Sequence, residues 1–194
     1  MKTLYLMRHG ETLFNQLHLI QGSCDSPLTE RGKKQAQIAR RYFTQNNIEF
    51  DKCVCSTQER ASDTLELIIP DCDYMRLKGI KEWDFGKFEA QPEFLNPAVP
   101  YGDFFAYAEG ETIDAVGQRM LSTLTKMMSE FEGENLLAVS HGGAMACFAR
   151  ATGDKMPMSI HNCGILKFSF TDEKSQFRLL DAINHDFSEL EDLQ

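Results

Sequence analysis

Residues 3–10 read TLYLMRHG: five apolar or strand-favouring residues, then an abrupt Arg8-His9-Gly10. The run is short and rich in strand formers, so it predicts a buried strand over 3–7 that breaks into charge at its carboxyl end. Two later segments break the same way. KCVCS (52–56) leads into a helix carrying Arg60, and LLAVS (136–140) ends in His141-Gly142-Gly143.

Helices fill the intervals. Thr29–Asn46 has a capping Thr and apolar residues at Ala36, Ile38, Ala39, Tyr42 and Phe43, which predicts a helix with a basic outer face. Ser56 and Glu59 are spaced as a capping box that opens a second helix to about Ile69. From Thr112 to Phe131, Ile113, Val116, Met120, Leu124, Met127, Met128 and Phe131 recur at helical spacing. A strand is expected near residues 74–80 and a terminal hairpin over 164–170 and 176–183.

Strands alternating with helices imply a three-layer α/β/α fold with a mainly parallel sheet and an antiparallel C-terminal edge. The whole chain, 1–194, reads as one domain. Residues 88–111 interrupt the pattern with three prolines and six aromatics (Phe88, Phe94, Tyr101, Phe104, Phe105, Tyr107), predicting a lid insertion over the surface. In such sheets ligands bind outside the carboxyl ends of strands. Arg8, His9, Arg60 and His141 therefore converge on one edge.

The chain carries 20 Lys and Arg against 29 Asp and Glu, a formal net charge of −9. That argues against generic nucleic-acid or anionic-membrane binding, both of which want a basic face. No apolar stretch is long enough for a membrane span, and no secretory segment opens the chain. Six cysteines without C-x-x-C spacing read as reduced thiols in a cytoplasm. His9, His141 and Glu11 are potential metal ligands, but two arginines at the same edge would repel a cation, so no metal and no cofactor is expected. Nothing distinguishes a monomer from a homodimer.

RHGET at a strand end, an arginine just inside the helix after a second strand and SHGG after a third together resemble the histidine phosphatase superfamily, the phosphoglycerate-mutase-like group. The resemblance extends through Asn15, Gln21-Gly22, SPLTERG (26–32), STQERASDT (56–64) and KEWDFGKFE (81–89). It implies that His9 is a nucleophile forming a phosphohistidine, which requires a neutral imidazole with its tautomer fixed. Arg8 and Arg60 would then clamp the phosphoryl oxygens with planar forks, joined by His141 and Asn15. Gly10 and Gly142 would admit the phosphate close to the backbone, and Gln21 and Gly22 would complete the binding set. Glu82 matches the acid that protonates the leaving oxygen, with Asp84 and Asp103 as rivals. The family's Glu-Gly pair is here Glu89-Ala90. Asn162 is open between a turn role and a substrate contact, and His18 and His185 read as surface residues.

The implied activity is metal-independent hydrolysis of a small phosphorylated metabolite, releasing phosphate. A phosphoglycerate-type mutase is the alternative within the family, and a non-catalytic phospho-ligand-binding protein is the alternative outside it. Residues 88–118 hold six acids and no Lys or Arg, which favours a substrate with an uncharged or apolar remainder. Cations from Lys78, Lys81 or Lys87 remain available to a mutase.

Overall fold

Strand β1 (Lys2–Arg8) sends alternate residues into two separate cores: Leu4 and Leu6 into one, Tyr5 and Met7 into the other. All four are buried, the signature of a strand covered on both faces. β4 (Asn135–Ser140) does the same, with Leu136 and Ala138 on one side and Leu137 and Val139 on the other. The computed structural model describes residues 1–99, 101–156 and 158–191; Pro100, Pro157 and residues 192–194 lie outside the described residues.

Six strands form one sheet in the order β3-β2-β4-β1-β5-β6. β2 (Lys52–Ser56) and β3 (Tyr74–Leu77) run parallel to β4 and β1, whereas β5 (Ile165–Thr171) and β6 (Gln176–Ile183) form the antiparallel edge. Helices α2 (Glu30–Gln45) and α3 (Glu59–Ile68) cover one face, and α4 (Ile113–Glu130) and α5 (Gly142–Ala151) the other. Thr29 caps α2 by accepting from the Gly32 N–H, and Thr112 caps α4 by accepting from that of Ala115. The three-layer expectation holds.

Three local expectations change. Ser56 still belongs to β2, paired with Leu77, so its hydroxyl accepts from the Gln58 N–H and no capping box forms with Glu59. Asp25 caps α3 instead, its carboxylate accepting from the Glu59 N–H. A capping box does occur elsewhere, between Thr12 and Asn15 at the short helix α1 (Leu13–Gln16), which the sequence pattern does not announce. His185 is half-buried against Tyr42 and Phe187 and is no surface residue.

The lid is a chain of tight turns (Gly86–Phe88, Glu93–Leu95, Phe104–Ala108) with a core of its own. Phe105 is fully buried, ringed by Trp83, Phe85, Phe88, Tyr101 and Phe104 at centroid distances of 4.7–5.8 Å. Phe94 and Tyr107, 84% and 92% exposed, face outward. Most of the lid aromatics thus hold the lid together. They say less about an apolar substrate than their number suggests. All six cysteines carry free thiols, and four are buried.

Candidate active site

Strand register sets the centre of the site. Arg8 lies opposite Ser140, so the residues that follow, His9 and His141, leave adjacent parallel strands side by side. The His9 N–H donates to the Ser140 carbonyl at 3.0 Å, and the two rings stand 5.2 Å apart between centroids. β2 flanks β4 on its other side, and Arg60 in the first turn of α3 completes the cluster.

His9 Nδ1 lies 2.7 Å from the Gly10 carbonyl. A carbonyl has no proton to give, so the bond fixes the proton on Nδ1 and leaves the lone pair on Nε2. Gly10 is itself tethered: its N–H donates to Thr64 Oγ1 at 2.9 Å, and that hydroxyl donates to the Arg60 carbonyl one helical turn back. Asn162 Nδ2 donates to the His9 carbonyl and to Asn15 Oδ1, both at 3.2 Å, a loop-fastening role. Burial, then the fields of Arg60 and Arg8, holds the His9 imidazole well below its ordinary value. Burial, Arg60 and His9 do the same for His141. Both shifts favour the neutral ring.

Buried polar atoms without partners mark where a ligand belongs. Among the described residues six side-chain atoms are in that state, and four of them surround His9: Arg8 Nε, Arg60 Nε and both ring nitrogens of His141. Each is a donor, or in one tautomer of His141 an acceptor, that folding has removed from water without compensation. The cluster gathers these nitrogens around two guanidiniums, in a chain that is acidic as a whole.

The guanidiniums are otherwise anchored. Arg8 Nη1 donates to the Ile160 carbonyl at 3.0 Å. Arg60, fully buried, donates to the carbonyls of Gly22 (3.0 Å) and Cys24 (2.9 Å) and to Asp25 Oδ1 (2.8 Å). Asp25, not Glu59 or Asp63 on its own helix, is its ion-pair partner. A Cβ on Gly142 would stand 3.3 Å from Arg8 Nε, consistent with close approach there. At Gly10 the reason differs: a Cβ would meet the Gly32 carbonyl of α2 at 2.7 Å, so helix packing demands that glycine.

Gln21 and Gly22 spend polar groups within the protein. Gln21 uses both ends of its amide internally, accepting from Thr12 Oγ1 at 2.7 Å and donating to Ser26 Oγ at 2.8 Å. The Gly22 carbonyl serves Arg60 and Gln58, and a Cβ there would run into the Trp83 carbonyl. Both build the loop that holds Arg60. Asn15 is half committed: its Oδ1 accepts from the Thr12 N–H and from Asn162.

Glu82 is 7% exposed and sits at the start of α5. One carboxylate oxygen accepts from the N–H groups of Trp83 (2.8 Å) and Ala144 (2.7 Å), the other from Gly143 (3.1 Å). It thereby satisfies free N–H groups of α5, the helix capped by His141, and its charge complements that helix end. Its field reaches Arg8, whose value burial lowers and Glu82 and Glu93 raise. Of the rivals, Asp84 faces the same cavity as Glu82 but also caps its own turn through the Gly86 N–H, and Asp103 heads the turn beginning at Phe104. A cavity of about 460 Å³ opens beside the acid, lined among others by Ser23, Lys78, Lys81, Glu82 and Asp84. A larger one, about 660 Å³, lies beside Glu11 and Arg31, and neither cavity is lined by Arg8, Arg60 or His141.

Sequence reasoning misses three residues that build this site. Gln58 donates to the Gly22 carbonyl and accepts from the Glu82 N–H at 2.9 Å, joining the arginine loop to the acid. Glu89 accepts four backbone N–H groups, from Gly22, Ser23, Cys24 and Phe85, tying the lid to that same loop. Thr64 leaves a trace in the sequence, four residues after Arg60 on one helix face. Glu89 stands in the family's Glu-Gly pair but nothing in the sequence gives its role, and Gln58 leaves no trace, because their partners are distant backbone groups.

The profile of the Histidine phosphatase superfamily (branch 1) matches residues 4–183. "Probable phosphoglycerate mutase GpmB" of Yersinia pestis (strain Pestoides F) is 32% identical over 158 residues, covering 76% of this chain and 73% of that protein. Among solved structures, the phosphoserine phosphatase of Entamoeba histolytica in complex with 3-phosphoglyceric acid superposes with a TM-score of 0.79 at 27% identity. It covers 95% of this chain and 98% of its own. The α-ribazole phosphatase of Shigella flexneri superposes with a TM-score of 0.75 at 25% identity, over 93% and 95% of the two chains. Matched across nearly its full length and built around paired histidines at adjacent strand ends, the chain belongs to the histidine phosphatase superfamily.

Proposed function

We propose that this chain is a metal-independent phosphomonoester hydrolase working through a phosphohistidine on a small phosphorylated metabolite. The observation that carries the reading is the set of unpartnered buried nitrogens on Arg8, Arg60 and His141 around a His9 whose Nε2 lone pair is fixed outward. In this reading Nε2 attacks phosphorus as the P–O bond to the leaving group breaks. The electron pair leaves with the oxygen, which takes a proton from Glu82. The Arg8 and Arg60 forks and a His141 N–H neutralise charge on the equatorial oxygens. Glu82, now the base, removes a proton from the water that cleaves the N–P bond, and phosphate departs. No cofactor enters either step, and cations are disfavoured beside two guanidiniums.

Two observations favour a second reading, a phosphoglycerate-type mutase. Lys78 and Lys81 flank the cavity beside Glu82, where they suit a substrate carboxylate, and curated relatives carry the mutase name. The hydrolase reading is supported by the acidic segment 88–118, which holds six acids and no Lys or Arg. Release of phosphate from p-nitrophenyl phosphate in the presence of a chelator, lost in His9→Ala, is the expected result. Absence of turnover by the wild type across a broad panel of monoesters would favour the non-catalytic alternative. Conversion of 3-phosphoglycerate to 2-phosphoglycerate without net phosphate release would establish the mutase.

A further inference from the structure

Three arginines stand around the candidate site, and they differ in what their forks have left to give. Arg8 and Arg60 each keep a buried nitrogen without a partner. Arg119, on α4, keeps none. Its Nε donates to Glu111 Oε1 at 2.7 Å and its Nη2 to Glu111 Oε2 at 2.7 Å, a bidentate pair. The remaining N–H groups go to three main-chain carbonyls, Gly79 (3.1 Å), Lys81 (2.7 Å) and Glu82 (2.8 Å). A guanidinium has five N–H donors, and all five are spent on protein.

Those carbonyls belong to the turn that delivers Glu82. The fourth carbonyl of the turn, Ile80, accepts from Ser140 Oγ at 2.8 Å, one residue before His141. The Glu82 N–H donates to Gln58. The backbone of the acid is thus gripped from both sides, by Gln58 at its nitrogen and by Arg119 at its oxygen. Glu111 extends the grip to the end of the lid. Its carboxylate accepts from the Asp84 N–H, its own N–H donates to the Asp84 carbonyl, and its carbonyl accepts from Trp83 Nε1. The pair is only about a quarter exposed, 23% for Arg119 and 28% for Glu111.

We propose that Arg119, locked by Glu111, is a positioning residue that aims the Glu82 carboxyl at the leaving-group oxygen, an inference that rests on Glu82 being the proton donor. Arg119 borders the cavity beside Glu82, but all its donors are engaged by protein, so its action runs through the turn it holds. Its effect therefore scales with the leaving group's need for a proton. An oxygen that departs readily as an anion tolerates a misaimed acid, whereas an alkoxide does not.

The test measures kcat/KM, which reports steps up to P–O cleavage, for p-nitrophenyl, phenyl and benzyl phosphate with Arg119→Lys, Glu111→Gln and Glu82→Gln. Lysine keeps the charge but cannot span three carbonyls and a carboxylate. The expected loss in Arg119→Lys is about threefold on p-nitrophenyl phosphate and about thirtyfold on benzyl phosphate, a part of the 10²–10⁴ that acid catalysis supplies. Glu111→Gln, which preserves shape and keeps the test available if Arg119→Lys folds poorly, shifts in the same direction. Equal losses on all three esters in both variants, with Glu82→Gln still discriminating among them, would overturn the positioning role and leave the acid assignment intact. A Glu82→Gln enzyme that loses activity equally across the series would instead remove the acid assignment, and the inference with it.

Discussion

Replacing Glu89 with Gln tests whether the lid holds the Arg60 loop, the proposed phosphate clamp, through backbone hydrogen bonds. Glu89 Oε1 accepts from the N–H groups of Ser23 (2.8 Å) and Phe85 (2.9 Å), and Oε2 from those of Gly22 (3.1 Å) and Cys24 (3.1 Å). Glutamine retains one acceptor oxygen and turns the other into an amino group facing two donors. Either amide orientation strands two N–H groups, each costing about 1–3 kcal/mol when sheltered from water. The loop is half-buried, so the lower part of that range applies, about 2–3 kcal/mol in total. With an unfolding entropy of about 2.1 cal/mol/K per residue over 194 residues, that corresponds to a fall in Tm of about 5–7 °C. Function should fall further than stability alone requires, because the Gly22 and Cys24 carbonyls are two of the groups that fix Arg60. The expected loss in kcat/KM on p-nitrophenyl phosphate, measured well below Tm, is about tenfold, or about 1.4 kcal/mol of transition-state binding. Differential scanning calorimetry and steady-state kinetics supply both readouts. A variant with Tm within about 1 °C and kcat/KM within about twofold of wild type would refute the coupling.

Three further outcomes follow from the same geometry. Ala90 occupies a left-handed backbone conformation, φ +60°, which costs a non-glycine residue about 1–2 kcal/mol. Glycine gives back about 0.4–1 kcal/mol through its freer unfolded chain, so Ala90→Gly should raise Tm by about 1–3 °C; a lower Tm would show that position to be unstrained. His9 and His141 stay neutral when folded but titrate near 6.5 when unfolded. Below that pH the unfolded state binds more protons, so stability falls as pH falls, by up to about 1.4 kcal/mol per unit for each ring. Urea unfolding at pH 7.5 and 5.5 should show this dependence reduced in His141→Gln, and an unchanged dependence would contradict it. His9→Ala should abolish turnover while keeping affinity for inorganic phosphate, whereas Arg60→Ala should weaken both by about tenfold or more, a charged hydrogen bond contributing about 1.5–3 kcal/mol. Unaltered kcat/KM in Arg60→Ala would dismiss the clamp.

What the sequence determines by itself is everything written in local order. TLYLM, KCVCS and LLAVS are apolar runs with charged or glycine-bearing ends, and their alternation with helical periods fixes a layered sheet whose carboxyl edge collects Arg8, His9, Arg60 and His141. Those elements appear where the pattern puts them because burial periodicity is a local property. The tertiary structure decides which of the neighbouring residues serve as ligands and which serve as frame. Gln21, Gly22 and Gly10 carry the same motif signal as Asn15 or Gly142, yet their polar groups or missing Cβ answer to Ser26, Arg60 and Gly32. Gln58, Glu89 and Arg119 act on main-chain N–H and C=O groups far along the chain, which every residue presents alike. A contact to backbone leaves no residue type behind to be read. The meeting of Arg8, His9, Arg60 and His141 is therefore legible from three strand ends taken together, whereas the contacts that hold Glu82 and Arg60 exist only once the loops have closed on one another.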